Sequence, residues 1–185
     1  PVLIHVADPK AFFKPIDENN ERLDSLSIHP EWSFYGADYP SYESLMEMQE
    51  NLIRNNPNTT FVIPHLGSSG ENLGFVSPQL DRYNNMYIDT AARLSELGRQ
   101  PYTARDFLIK YQDRVLFGTD ASPVFFRHKY YYRFFETWDE YFDYAEDCTQ
   151  GRWKIYGVGL PQDVLKKIYY KNAAKLVPEI NIDDT

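Results

Sequence analysis

Four short apolar runs constrain this chain more than any other feature: Val2-Leu3-Ile4-His5, Phe61-Val62-Ile63-Pro64-His65, Met86-Tyr87-Ile88-Asp89 and Val115-Leu116-Phe117-Gly118-Thr119-Asp120. Each is too short for a helix and lacks a polar alternate face, the signature of a strand buried on both faces of a parallel sheet. Strands are expected over residues 2–6, 59–65, 86–89 and 114–119. Helical spacing fills the intervals. Ser41 caps a helix carrying Leu45, Met48, Leu52 and Ile53 on one face, and Asn55-Asn56-Pro57 stops it. Further helices are expected over 77–84, 91–97, 104–111 and 127–147, and a last one opens at Pro161 with Val164, Leu165, Ile168 and Tyr169 inward. The order β-α-β-α-β-α-β-α specifies a parallel sheet, either open and doubly wound or part of an α/β barrel.

Composition removes several function classes. A net charge of -8 leaves no clustered Lys/Arg for phosphate neutralisation, so no nucleic-acid partner is expected. No apolar run approaches the ~18 residues of a membrane span. Neither G-x-G-x-x-G nor a Walker lysine loop occurs. Cys148, the single cysteine, has no internal disulfide partner and no neighbouring His. The 15 Tyr, 12 Phe and 3 Trp fit bulky packing or an aromatic-lined cleft.

Parallel α/β sheets keep their chemistry at the carboxyl ends of the strands, where His5, His65 and Asp120 fall. Imidazole and carboxylate are ligands that a borderline divalent cation accepts, and a carboxylate beside a metal can take a proton from water. Each residue has a plainer reading: a hydrogen-bonded structural histidine, or an aspartate capping a loop. Leu66-Gly67-Ser68-Ser69-Gly70 reads as flexible, leaving room above the sheet for a ligand. Asp89 is expected to hydrogen-bond at its strand end. Arg93 could hold a substrate carboxylate through its planar fork, or sit on a helix surface. The long polar segment from Ala7 to Pro40 reads as a lid or binding loop that could bring His29 or Trp32 to a substrate, or else as a stretch carrying short helices. His128, among Lys and Tyr, reads as solvated.

These runs, together with Leu66-Gly67, Thr90 and Tyr170-Lys171-Asn172-Ala173-Ala174, resemble the second half of the amidohydrolase-2 family, metal-dependent hydrolases and decarboxylases with a TIM-barrel fold. The resemblance runs from Pro1 to about Val177 and implies four βα units of a parallel (β/α) barrel over 1–177, with an acidic tail over 178–185. It implies that His5 is a metal ligand, that His65 orients water or contacts metal, and that Asp120 is a ligand and general base. The implied cofactor is a divalent metal, Zn²⁺ first and Mn²⁺ second. Asn172 matches a structural Asn of the final helix. The family also requires a His-x-His pair at the end of its first strand, and none occurs here.

The functional expectation is therefore hydrolysis of a C–N or C–O bond in an amide, lactone or ester by activated water. Decarboxylation by the same residues is the alternative. Of another class are a catalytically incomplete fragment acting as an interaction module, and a carbohydrate-binding module built on Trp32, Tyr35 and Tyr130 to Tyr132. Expected partners are a small-molecule substrate, a missing N-terminal half or second chain closing the barrel, and further copies in a homo-oligomer. The chain opens inside a strand, so it reads as part of a longer polypeptide. Its location is expected to be cytoplasmic, with an upstream signal peptide left open.

Overall fold

The computed structural model describes residues 1–36, 38–122 and 125–179, with backbone alone at 125 and 126. Of the expected acidic tail, residues 180–185 lie outside the described residues. Four strands, β1 (Val2–Leu3), β2 (Phe61–Ile63), β3 (Met86–Asp89) and β4 (Val115–Leu116), form one parallel sheet in the order β1-β2-β3-β4. Phe61 pairs with Val2 on one side and Met86 on the other, and Ile88 pairs with Val115. The order never reverses. A doubly wound sheet turns back at a switch point, whereas a barrel adds strands in sequence, so this α/β sheet is consistent with part of a TIM-type barrel. Among the described residues the sheet does not close.

The expectation that residues 2–6 are fully buried is corrected. Val2 and Leu3 are 44% and 67% exposed. β1 is an edge strand paired only to β2, so its second edge and its side chains stay open. β2, with its three residues buried, and β3 form the centre of the core together with Leu80, Leu97, Leu108, Phe134, Phe135 and Ile168.

Ser41 caps helix Tyr42–Asn55 as expected, its hydroxyl accepting from the Ser44 N–H at 3.1 Å. The buried stripe differs from the expected one: it is Tyr42, Met46, Gln49 and Ile53, while Met48 is 54% exposed. The helix turns this face inward because Gln49 and Tyr42 have partners there. Gln49 Nε2 donates to the Gly67 carbonyl at 3.1 Å, its Oε1 accepts from Ser68, and the Tyr42 hydroxyl donates to the Ser68 carbonyl at 2.9 Å. Leu66 to Gly70 are therefore buried and tied down rather than flexible. Helix Leu73–Arg82 begins earlier than expected, with Leu73 and Val76 filling the core.

The expected helix over 127–147 ends sooner, as Phe125–Glu136. Its last carbonyls are claimed from outside: Phe134, Phe135 and Thr137 accept from the N–H groups of Val158, Leu160 and Gly159 at 2.7–2.9 Å. Beyond it the chain is irregular. Phe142 pairs with Ile155 and is buried, but Trp138 is 67% exposed. Pro161 sits just outside helix Gln162–Lys166 rather than at its first position, and Tyr169 is half-buried. A π turn, Lys167–Lys171, leads into Asn172–Leu176. Asn172 is structural, its Nδ2 donating to the carbonyls of Gln112 and Val115 at 2.7 and 2.8 Å. Among the described residues no helix is long and apolar enough to cross a membrane.

Candidate active site at the carboxyl end of the sheet

The strand ends bring His5 and His65 together. Their rings stand edge to face with centroids 4.8 Å apart. His65 is buried and adopts φ 58°, ψ 40°, with Leu66 and Ser68 also left-handed. Each left-handed residue other than glycine costs roughly 1–2 kcal/mol, so the turn must be held from outside. Asp89 holds it: one carboxylate oxygen accepts the His65 N–H at 2.9 Å and the Ala91 N–H at 3.0 Å. Gly67, at φ 66°, completes the turn, where an added Cβ would lie 3.2 Å from Met86 and 3.3 Å from Val76.

Each imidazole has one nitrogen committed to a carbonyl. His65 Nδ1 lies 2.8 Å from Ala91 O, and His5 Nε2 lies 3.2 Å from Ala7 O. A carbonyl only accepts, so these nitrogens carry protons, and His65 Nε2 and His5 Nδ1 are not engaged by those carbonyls. Burial holds the His65 pKa below the ordinary histidine value, helped by the nearby Arg93 charge. His65 is thus neutral at pH 7. Asp89, by contrast, is raised by burial in spite of its two N–H donors.

Asp120 is exposed at the same end of the sheet, with φ 57°. The path to it is tightly packed. Thr90 Oγ1 donates to the Gly118 carbonyl at 3.0 Å and accepts its N–H at 3.2 Å, and a Cβ on Gly118 would lie 3.4 Å from Asp89 Cγ. Among the described residues, however, no three His, Cys, Asp or Glu side chains gather closely enough to hold a metal ion. His5 and His65 are adjacent; Asp120 shares their end of the sheet without completing a cage.

Arg93 is buried, not a surface arginine. It is 4% exposed, its Nη1 donates to Ala92 O at 2.9 Å, and its Nε has no partner among the described residues. Burial lowers its pKa, opposed by the charges of Glu71, Asp8 and Asp120.

Beside Asp120 opens a cavity of about 600 Å³, bordered by Trp32 and His29 from the long segment after β1 and by Tyr130, Tyr144 and Asp147 from the segments after β4. Neither His5 nor His65 borders it. Trp32 stacks on His29 at 4.0 Å, so this histidine packs within its loop as well as bordering the cavity. His128 lies against Phe117, ring centroids 5.8 Å apart, and is half-buried rather than solvated.

Residue-level reading missed what joins the two segments. Arg22 and Glu96, each 2% exposed at the side chain, form a buried ion pair. Arg22 also donates to Gln150 O at 3.0 Å, Ser25 to Thr149 O at 2.7 Å, and Arg152 is paired bidentately with Asp24. These partners lie far apart in sequence, and no local pattern marks them.

The amidohydrolase family model matches residues 1–178, essentially the whole chain. The chain belongs to the amidohydrolase family. No curated protein and no solved structure matches it. Amidohydrolases of this kind are metal-dependent hydrolases or decarboxylases and generally use divalent metals. The residues of this amidohydrolase fit such a cation in donor type: two imidazoles, each with one nitrogen on a backbone carbonyl, and an exposed carboxylate at the same end of the sheet. As a complete ligand set they fall short of the three protein ligands typical of catalytic zinc.

Proposed function

We propose that this amidohydrolase hydrolyses a C–N or C–O bond, in an amide, lactone or ester, using water activated at a divalent metal. The adjacent imidazoles of His5 and His65, each with an unshared nitrogen at the carboxyl end of the sheet, carry this reading. His5 and Asp120 would hold the cation, Zn²⁺ in preference to Mn²⁺, with His65 next to it. When bound, the cation supplies Lewis acidity and lowers the pKa of water toward ~7. Asp120, exposed and without a protein hydrogen bond among the described residues, is positioned to take the proton from water as general base. Neutral His65 orients that water through Nε2, its ring held by Ala91 O and its backbone by Asp89. The remaining ligands would come from a His-x-His strand in a preceding half barrel or in a second chain, either of which would also cover the open edge of β1.

A second reading has one observation behind it. The buried Arg93 guanidinium, with no carboxylate in salt-bridge contact and an unpartnered Nε among the described residues, suits a carboxylated substrate, and so a decarboxylase. The hydrolase reading is tested by Zn²⁺ titration calorimetry of the chain and of its His5→Asn and Asp120→Asn variants. A single site lost in both variants is expected. Binding unaltered by both changes would overturn this ligand assignment.

A further inference from the structure

Residues 21–33, within the long segment after β1, are attached to the protein differently from everything around them. None of them belongs to either apolar cluster of the core. Their buried residues are Arg22, Ser25 and Leu26, and only the last is apolar. Burial of apolar surface, which holds the sheet and its helices together, therefore does little to hold this stretch.

Its base is closed on itself. The Phe34 N–H donates to Phe12 O at 2.8 Å, and the rings of Phe13 and Phe34 pack with centroids 5.0 Å apart. Asn20 Nδ2 ties the other strand of this neck, donating to the Ala11 and Pro15 carbonyls at 2.9 and 2.8 Å. Residues 21–33 hang from the neck, with Trp32 lying over Phe12 at 6.1 Å.

Beyond the neck the attachment is polar and centred on helix Leu23–Ile28. Three ion pairs cross to the rest of the chain: the buried Arg22–Glu96 pair, Glu21–Arg99 at 2.9 Å and Asp24–Arg152 at 2.6 Å. Hydrogen bonds from Arg22 and Ser25 to the Gln150 and Thr149 carbonyls complete the set. The buried pair fixes where the helix sits more than how tightly it is held, because withdrawing both ions from water offsets most of their attraction. Opening returns both to water. Glu21 and Arg152 are exposed, so the outer two pairs are screened by dissolved ions.

We propose that residues 21–33 are an electrostatically latched lid, which swings open on this neck as one unit and opens more readily as ionic strength rises. Ser25, His29 and Trp32 border the cavity beside Asp120, so opening removes one of its walls. The latch stands apart from the hydrolase reading, since neither metal nor substrate enters it.

Hydrogen exchange of the full chain, followed by mass spectrometry, tests the latch at about 0.1 M and about 1 M NaCl, between which the screening length falls from ~10 to ~3 Å. Peptides covering residues 23–32 are expected to exchange about fivefold faster at the higher salt, the effect of losing two exposed ion pairs from an opening equilibrium. Peptides from β2 and β3 should keep their rates. The double variant Glu21→Gln with Arg152→Gln changes only exposed side chains. Its lid should exchange at the lower salt as fast as the parent's does at the higher, with most of the salt response gone, while unchanged rates in β2 and β3 show that it is folded. A lid that exchanges in step with the core strands, that is unprotected at the lower salt, or that is indifferent to salt or to the double substitution would overturn the proposal.

Discussion

Replacing Asp89 probes how the site is held. In the native chain one Asp89 oxygen accepts the N–H groups of His65 and Ala91, and the first of these supports a left-handed residue. Hydrogen bonds to a charged acceptor contribute about 1.5–3 kcal/mol each, so Asp89→Ala should lose about 3–6 kcal/mol. With an unfolding entropy of about 2.1 cal/mol/K per residue over 185 residues, the melting temperature should fall by about 8–15 °C. Asp89→Asn keeps an acceptor oxygen in the same place. An amide oxygen is a weaker acceptor than a carboxylate but keeps both N–H groups paired, so this change should cost only about 1–3 kcal/mol. Calorimetry measures both variants, and the His65 ring proton shifts report whether the turn persists in the amide. Equal losses in the two variants, or an alanine variant as stable as the parent, would refute the assignment of Asp89 as the clamp of this turn.

Asp120→Asn should abolish turnover in the metal-loaded protein while changing stability by less than about 1 kcal/mol, because Asp120 is exposed; activity assay and melting curve check the two halves separately. Arg22→Met strands Glu96 in the interior and should cost about 3–5 kcal/mol, while Arg22→Met with Glu96→Leu should recover most of it, as chemical denaturation of the three variants would show. Burial raises the Tyr42 phenol to about 12, above the ~10 of an unfolded tyrosine. The folded chain then holds the proton that the unfolded chain releases, so stability should fall as pH rises from about 10 toward 12. Tyr42→Phe should flatten that part of the curve in pH-dependent melting.

The alternation of strands and helices was legible because each apolar run ends at a sharp polar break, and the Ser41 cap because its hydroxyl bonds within three residues. Residues whose role depends on distant partners were not. Gln49 is buried because the 65–68 turn offers it a carbonyl and a hydroxyl, and the apolar spacing of Leu45, Met48, Leu52 and Ile53 carries no sign of that. Phe142 and Tyr144 fit a helical pattern, but Ile155 and Gly151 draw them into irregular chain. At the site, residue types at strand ends single out His5, His65 and Asp120, of which the structure brings His5 and His65 together, and periodicity contains nothing about the left-handed turn at His65. Arg93 reads in sequence as a substrate-binding or a surface helix arginine; its burial comes from distant packing, as at Gly70, where an added Cβ would lie 3.0 Å from Arg93 Cδ.

Metal-dependent hydrolysis is tested most directly by turnover of ester and lactone substrates in ¹⁸O-labelled water, with Zn²⁺ or Mn²⁺ supplied and then withdrawn by a chelator. The account predicts ¹⁸O in the carboxyl product and loss of activity on chelation. Turnover indifferent to the chelator, or CO₂ released from a carboxylated substrate with no label entering the product, would contradict it.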